Sequence, residues 1–154
     1  MTVLNYSYVV NFSRQKLWPL VAGFSQDRRY WEWIEKVECL SGKPQELGSV
    51  WRFHIITRAG LWQLEMEITE WLEGERLALT PLGYSGVFED IRLFQIVIDL
   101  GEKSDRRTQI KISCEYEPLN KWAKLKNLTF QRQRFLDLIV KSVDALSRAA
   151  AAEA

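Results

Sequence analysis

The stretch VFEDIRLFQIVIDL carries two charged residues on the side that its alternation predicts to be apolar and buried. Counting back in steps of two from Ile98 through Ile96 and Phe94 leads to Arg92 and Asp90. A buried charge needs a partner or a hydrated cavity, because desolvation of an unpaired charge is costly. We therefore predict both as catalytic candidates, with Asp90 as a general acid or base and Arg92 as the group that stabilises an oxyanion.

Two further charged residues lie on predicted apolar faces. Glu70 continues the inward phase of Met66 and Ile68, and Arg132 lies three residues before Phe135 on the apolar stripe of a predicted helix. Inward charges in a mostly apolar cavity would act as polar anchors. Such a cavity suits an amphipathic organic ligand with a carbonyl, phenol or carboxylate head group.

Each of these predictions has a structural alternative. A β-bulge near Glu89 would reverse the alternation and turn Asp90 and Arg92 outward, and Asp90 and Glu70 could equally lie in water at strand ends. The aromatic residues predicted to face inward are either ligand contacts, through their polar edges, or ordinary core. The predicted ligand contacts are Tyr6, Tyr8, Trp51, Phe53, Trp62, Leu64, Met66, Arg92, Phe94, Ile112, Tyr116, Arg132, Phe135 and Ile139.

Several other kinds of site are disfavoured by the sequence. The single histidine, His54, shares the polar phase of its strand with Arg52 and Arg58, which argues against a catalytic histidine and against a zinc site. Cys114 falls on an apolar phase with no histidine to activate it, and the segment LGYSG has too few glycines for a phosphate-binding loop. We predict no metal ion and no cofactor.

The composition indicates one globular domain. The 154 residues are 47% hydrophobic and 27% charged, and the net charge of +1 gives no field that would attract nucleic acid. We predict a single domain over residues 1–149 and a frayed tail over residues 150–154.

Two features of the sequence indicate a cytoplasmic protein. Cys39 and Cys114 are predicted to be buried free thiols, as expected in a reducing compartment. The N-terminus lacks the basic segment of a signal peptide, and no apolar run reaches the roughly 18–20 residues that span a bilayer. We expect a soluble monomer or homodimer in the cytoplasm.

Strands dominate the middle of the chain. Alternating apolar residues predict about seven strands, each with one apolar face, starting with VLNYSYVVNF and ending with TQIKISCEYE. Between about Asn120 and Ala149 the sequence has neither proline nor glycine, and apolar residues recur every three or four positions. This pattern predicts one long amphipathic helix, which is the only predicted element long enough to cover the apolar face of such a sheet.

An aromatic-rich stretch, LWPLVAGFSQDRRYWEWI over residues 17–34, follows the first strand. It predicts two short helices, the first of which begins after an N-cap at Ser13. Trp18, Phe24 and Trp31 are then expected to pack at the joint of these two helices, since burial of such rings stabilises a fold. A ligand site built from these rings is the alternative.

The order of elements resembles the helix-grip fold of the START/Bet v 1-like (SRPBCC) superfamily, which includes the polyketide cyclase and coenzyme Q-binding families. Trp18, Asp27 and Trp31 are similar to positions in the helical segment after the first strand, and Gly48 to the glycine before the third. The segment ITEWLEGERLAL resembles a strand–turn–strand unit of these proteins. The resemblance implies an α+β fold, in which a curved seven-stranded antiparallel sheet of order β-α-α-β6-α wraps around the long C-terminal helix.

The resemblance also implies a function, the binding or transport of a hydrophobic or amphipathic small molecule in a cavity between the sheet and the C-terminal helix. The ligand would be a lipid, a quinone or a polyketide-like compound. An enzyme of the cyclase, aromatase or dehydratase type, relying on Asp90 and Arg92, is the first alternative. The second is a regulatory or co-chaperone-like interaction domain, for which the only indication is that Trp33 and Trp71 fall on polar phases.

A basic run is present near the C-terminus. The segment LNKWAKLKNLTFQRQRFL contains five basic residues and no acidic one. It predicts either a solvated helix face or, together with Trp122, a positively charged end of the cavity that makes transient contact with an anionic membrane. The basic residues are Lys121, Lys124, Lys126, Arg132 and Arg134.

Overall fold

The fold is an antiparallel sheet with a long helix against one face. The computed structural model describes residues 2–23, 34–43, 46–57, 60–88, 90–127 and 132–152. The strands are β1 Thr2–Val10, β2 Ile34–Ser41, β3 Val50–Thr57, β4 Gly60–Leu72, β5 Arg76–Pro81, β6 Val87–Phe88, β7 Ile91–Ser104 and β8 Arg107–Pro118. The helices are α1 Arg14–Ala22, the 3-10 turn η1 Gly83–Gly86, α2 Lys121–Lys126 and α3 Arg132–Ala152.

Seven long strands follow one another in the order β1-β8-β7-β5-β4-β3-β2, and the two-residue β6 pairs with the start of β7. All of these pairs are antiparallel. The first strand pairs with the last along its full length, with Thr2 opposite Tyr116 and Val10 opposite Thr108. The predicted seven-stranded antiparallel sheet is confirmed.

Residues 120–149 are predicted as a single helix, and the structure describes a helix on each side of residues 128–131, which lie outside the described residues. Asn120 caps α2, because its side-chain oxygen accepts a hydrogen bond from the Ala123 N–H at 2.8 Å. This short helix ends at Lys126, and α3 starts at Arg132. The helix α3 continues to Ala152, and Ala150 on it is buried in the core, while the single domain over residues 1–149 stays a prediction.

The long helix α3 lies against β1 and α1. Val143, Leu146 and Ala150 are buried on it at steps of three and four residues, which is the stripe expected of an amphipathic helix. Closer to its start, Phe135 and Ile139 continue this stripe and are only partly buried. The start of α3 therefore leaves part of its apolar stripe accessible.

The first helix packs through Trp18. Its predicted N-cap is confirmed, since the Ser13 hydroxyl accepts a hydrogen bond from the Lys16 N–H at 3.3 Å. The Trp18 ring is buried and meets the Trp71 ring edge-to-face, with centroids 5.1 Å apart. Trp18 is thus packed, as predicted, although the ring that it contacts lies on β4 and not on a helix. The predicted second helix lies outside the described residues, together with Phe24, Trp31 and Trp33.

Several register shifts interrupt the strand pairing, and two of them reverse the alternation of side chains next to the predicted site residues. The pairing of β4 with β5 passes from Ile68 to Glu70 and leaves Thr69 as an extra residue. The pairing of β7 with β8 passes from Leu93 to Gln95 and leaves Phe94 as an extra residue. Because side chains alternate with a period of two, one extra residue exchanges the faces of all residues beyond it.

The two cysteines are free but differ in accessibility. Cys39 lies on the edge strand β2 and is exposed, so the prediction that both thiols are buried is wrong for Cys39. An edge strand has a neighbour on one side only, which leaves its side chains more open to water. Cys114 lies on β8, between two neighbouring strands, and burial raises the pKa of its thiol to about 12.

This difference predicts selective labelling. We expect a maleimide reagent at neutral pH to modify Cys39 quickly in the native chain and Cys114 only after unfolding, because the thiolate is the nucleophile and burial suppresses it at Cys114. Intact mass spectrometry with and without urea gives the number of modified thiols in the unfolded and in the native protein. Cys39→Ser is the control, and fast labelling of its remaining thiol in the native state would contradict the burial of Cys114.

Candidate functional site

The predicted ligand contacts divide into a packed set and an accessible set. The packed set is exposed by at most 3% and comprises Trp51, Phe53, Leu64, Met66, Ile112 and Tyr116. The Trp51 indole N–H donates a hydrogen bond to the Ser49 hydroxyl at 3.0 Å, so this buried donor has its partner within the protein. Since almost none of this surface is open to water, a ligand could reach these side chains only if neighbouring groups moved. In this conformation they form the core.

The accessible set begins with two tyrosines on β1. Tyr6 and Tyr8 lie opposite the buried Ile112 and Ile110, which places their rings on the inner face of the sheet. The rings are nearly parallel, with centroids 6.4 Å apart, and Tyr8 is nevertheless 51% exposed. Two stacked rings on the inner face therefore keep an accessible aromatic surface.

The helix α3 supplies the opposite side of this region. Burial, followed by the neighbouring Tyr8 and the Asp144 carboxylate on α3, raises the pKa of the Tyr6 hydroxyl. Like any tyrosine of ordinary pKa, Tyr6 is a neutral hydrogen-bond donor at neutral pH. Phe135 and Ile139 on α3 are partly buried against the same core. Tyr6, Tyr8, Phe135 and Ile139 are the predicted contacts that the structure leaves accessible between β1, β8 and α3.

Trp62 is also accessible, at a different place. It lies opposite Ile55 on the inner face, and its indole N–H donates to the Ser85 carbonyl at 2.8 Å. This bond ties β4 to the 3-10 turn η1. Trp62 thus belongs to the end of the sheet rather than to the region under α3.

A buried polar network joins the sheet to α2. The Tyr116 hydroxyl donates to the Asn127 side-chain oxygen, and the Asn127 amide donates to the Thr2 hydroxyl at 3.1 Å. The Tyr116 ring meets Phe135 edge-to-face with centroids 5.1 Å apart. Burial raises the pKa of Tyr116 to about 12, with a smaller contribution from Cys114. Sequence reasoning missed Asn127, although it lies four residues after the buried Ala123 and therefore on the same helix face.

Glu70 is not an inward anchor, and this prediction is wrong. The bulge at Thr69 turns Glu70 to the outer face, where its carboxylate accepts a hydrogen bond from the Arg76 guanidinium at 2.6 Å. Arg76 also pairs with Asp99 at 3.0 Å. The same bulge turns Trp71 inward onto Trp18, so the prediction that Trp71 is exposed on a polar face is wrong as well.

Asp90 and Arg92 do not face the interior either. The bulge at Phe94 makes Ile91 and Leu93 the buried residues at the start of β7, and Arg92 is exposed. Asp90 occupies the turn before β7 with a φ of 64°, and its half-exposed carboxylate lies 3.6 Å from the Lys126 ammonium. The alternative of a bulge that reverses the phase is therefore correct, although the extra residue is Phe94 and not one near Glu89.

The remaining predicted contacts lie at the margins. Arg132 is exposed at the first position of α3, so its prediction as a buried anchor is wrong. Its charge is still close enough to Tyr116 to oppose the rise of the tyrosine pKa. Phe94 is the bulged residue of β7 and is partly buried.

His54 lies on the outer face, as predicted. Its Nε2 is 3.2 Å from Glu38 Oε2, and the Lys36 ammonium is 2.9 Å from the other carboxylate oxygen, Glu38 Oε1. Hydrogen bonds from Lys36 and His54 lower the pKa of Glu38. Among the described residues, no group of three His, Cys, Asp or Glu side chains is placed to hold a metal ion.

A surface groove of about 600 Å³ lies at the opposite end of the sheet from α2. It is bordered by α1 and by the turns after β4 and β7. Arg14 spans it, with ion pairs to Glu75 at 3.3 Å and to Glu102 at 3.5 Å. Its lining is largely charged, unlike the predicted apolar cavity.

In the part of the chain that the structure describes, no helix combines the length and the apolar composition needed to cross a bilayer.

Solved structures share this architecture at low sequence identity. A conserved protein from Geobacillus kaustophilus superposes with a TM-score of 0.75 at 17% identity, covering 97% of this chain and 95% of its own. The aromatase/cyclase Zhui from Streptomyces sp. R1128 superposes with a TM-score of 0.69 at 13% identity, covering 97% of this chain and 93% of its own.

A third similar structure contains ligands. Norcoclaurine synthase from Thalictrum flavum, solved in complex with dopamine and hydroxybenzaldehyde, gives a TM-score of 0.68 at 13% identity and covers 99% of this chain and 88% of its own. No protein-family model and no curated protein sequence matches the chain. The order of elements, the sheet topology and these superpositions agree: the chain has the helix-grip fold that these solved structures share.

Proposed function

We propose that this protein binds a hydrophobic or amphipathic small molecule, of lipid, quinone or polyketide type, between the sheet and α3. The observation that carries the proposal is the stacked pair of Tyr6 and Tyr8. It lies on the inner face of the sheet, and Tyr8 still keeps half of its surface accessible. An aromatic surface of this kind offers a ligand both ring contacts and hydroxyl groups.

The helix side of the region supports the same proposal. Phe135 and Ile139 add partly buried apolar surface on α3, the helix that packs against the strand of Tyr6 and Tyr8. The combination suits a molecule with an apolar body and one polar group. Two structures with the same fold are an aromatase/cyclase and a norcoclaurine synthase in complex with dopamine and hydroxybenzaldehyde, which are small aromatic compounds.

Each alternative loses support at the described residues on which it depended, while Trp33 lies outside the described residues. A cyclase-like mechanism requires Asp90 and Arg92 in the cavity. Asp90 faces solvent in the turn before β7, and Arg92 faces solvent at the start of β7. An interaction domain relied on exposed tryptophans, of which Trp71 is packed against Trp18. We therefore favour binding or carriage over catalysis, and we place it in the cytoplasm, where free thiols such as Cys39 stay reduced.

Titration with the apolar fluorophore 1-anilinonaphthalene-8-sulfonate tests the proposal. We expect the folded protein to bind the dye and Tyr8→Ser to weaken that binding by about tenfold, the equivalent of one lost ring contact. The matched control is Tyr84→Ser, which removes an even more exposed tyrosine from η1 and is expected to leave the affinity unchanged.

Three results would decide against the proposal. They are a wild-type protein that binds no dye, equal losses for Tyr8→Ser and Tyr84→Ser, and loss of dye binding in Asp90→Asn. Native mass spectrometry of protein purified from its own host then identifies the ligand class. A copurifying lipid, quinone or polyketide is the expected result, and its mass selects the next assay.

A further inference from the structure

We infer that the end of the sheet that carries α2 docks onto an anionic lipid surface. The docking residues, which we call the α2 surface, are Leu119, Trp122 and Leu125 with the flanking Lys121 and Lys124. This inference goes beyond ligand binding and does not depend on it. It concerns the outside of the molecule, on residues that are not among the ligand contacts.

The helix α2 presents its large apolar side chains to water. The residues that it buries are small or polar, namely Ala123 and the following Asn127. Trp122 is 65% exposed and Leu125 is 50% exposed, and their spacing of three places them on one helix face. A helix that only needed to pack on the sheet would have the reverse arrangement, so its apolar face is available to another partner.

The neighbouring loop extends this exposed apolar surface. The N–H of the exposed Leu119 donates to the Asp90 carbonyl at 2.9 Å, which fixes the chain before α2 against the turn between β6 and β7. The strand β6 follows η1, where Tyr84 is 84% exposed. Exposed aromatic and aliphatic side chains therefore lie on two adjoining segments at the same end of the sheet.

Charge identifies the partner. From Pro118 to Leu136 the sequence contains five basic residues and no acidic one, in a chain whose net charge is only +1. Lys121 and Lys124 are exposed, and Asp90 neutralises one charge by pairing with Lys126. Basic residues around exposed tryptophan and leucine side chains are the arrangement that binds the headgroup region of anionic bilayers.

Two other partners fit these observations less well. A second copy of the chain meeting through this surface would bring the lysines of both copies together, and like charges repel. Nucleic acid would match the charge, but Leu119 and Leu125 offer neither hydrogen bonds nor ring stacking to bases, whereas both can insert among acyl chains. An anionic bilayer accounts for the leucines, the tryptophan and the lysines at once.

Vesicle flotation tests the inference with the full chain. We expect wild type to float with vesicles of phosphatidylcholine and phosphatidylserine and to bind pure phosphatidylcholine vesicles weakly. Lys121→Glu/Lys124→Glu should weaken binding to the anionic vesicles by at least about tenfold, since each basic residue near such a surface contributes. Trp122→Ser/Leu125→Ser should weaken binding to a similar extent by removing the inserted side chains.

The matched control reverses two charges at the opposite end of the sheet. Lys103→Glu/Arg106→Glu, in and next to the turn between β7 and β8, changes the net charge equally and is expected to leave flotation unchanged. Equal losses for both charge reversals would overturn the inference, as would equal binding to both kinds of vesicle or binding to nucleic acid in place of vesicles. Dye titration of the Trp122→Ser/Leu125→Ser variant, expected to match wild type, separates this outcome from a failure of ligand binding.

Discussion

Replacing Trp18 by alanine is expected to lower the free energy of unfolding by about 3–5 kcal/mol, the range for truncating a large buried aromatic side chain. The Trp18 ring is 5% exposed and contacts Trp71 edge-to-face. Such pairs contribute about 0.5–1.5 kcal/mol beyond the burial of their area. Trp18 is carried by α1 and Trp71 by β4, so the pair attaches the helix to the sheet.

Urea denaturation followed by circular dichroism measures this effect. The matched control is Trp122→Ala, which truncates the same residue type in the other short helix, α2, where the ring is mostly exposed. We expect the control to change stability by less than about 0.5 kcal/mol. If both substitutions cost the same, Trp18 does not pack as the structure shows. A double-mutant cycle with Trp71→Ala then isolates the ring–ring contribution.

Tyr116→Phe is expected to destabilise the fold by about 1–3 kcal/mol, because the Asn127 side-chain oxygen loses its hydroxyl donor while it stays buried. The phenylalanine ring keeps the edge-to-face contact with Phe135, so the decrease in the free energy of unfolding measures the contribution of the hydroxyl alone. Tyr84→Phe removes a hydroxyl from an exposed ring and is expected to have no effect in the same urea titration.

The pKa of Tyr116 adds a pH dependence. An unfolded tyrosine ionises near pH 10, at about the reference pKa, whereas burial keeps Tyr116 protonated in the folded protein to about pH 12. A folded-state pKa above the unfolded one means that the stabilisation is complete below pH 10 and is lost as the pH rises toward 12. Between pH 9 and 11 we expect wild type to lose more stability than Tyr116→Phe, and parallel losses would show that Tyr116 ionises normally.

The order of elements could be predicted because each strand keeps a regular alternation over most of its length. The pairing of β3 with β4 has no bulge, and there the sequence predicts both faces correctly. Trp51 and Phe53 are buried inside, and His54 lies outside beside Glu38. Where the backbone is regular, the pattern of side chains determines the face that each of them occupies.

The wrong predictions for Glu70, Asp90 and Arg92 share one cause. Neither Thr69 nor Phe94 is a glycine or a proline, so nothing in the sequence marks either as an extra residue in its strand. Counting in steps of two across these positions predicts Glu70 and Arg92 on the inner face, whereas both lie on the outer face. The Asn127 network was missed for a different reason, since a polar residue in a predicted surface helix carries no sign that a distant tyrosine will meet it.

The bulges also determine where this sheet tolerates a change in chain length. Removal of Thr69 from β4 or of Phe94 from β7 would restore simple pairing and leave every other side chain on its present face. Removal of a residue elsewhere in either strand would exchange the two faces up to the next bulge or turn. Both strands adjoin β5, where Leu77 lies opposite Trp71 on one side and Ile98 on the other. Thr69 and Phe94 are thus two positions at the centre of the sheet whose deletion would leave the buried side chains on the inner face.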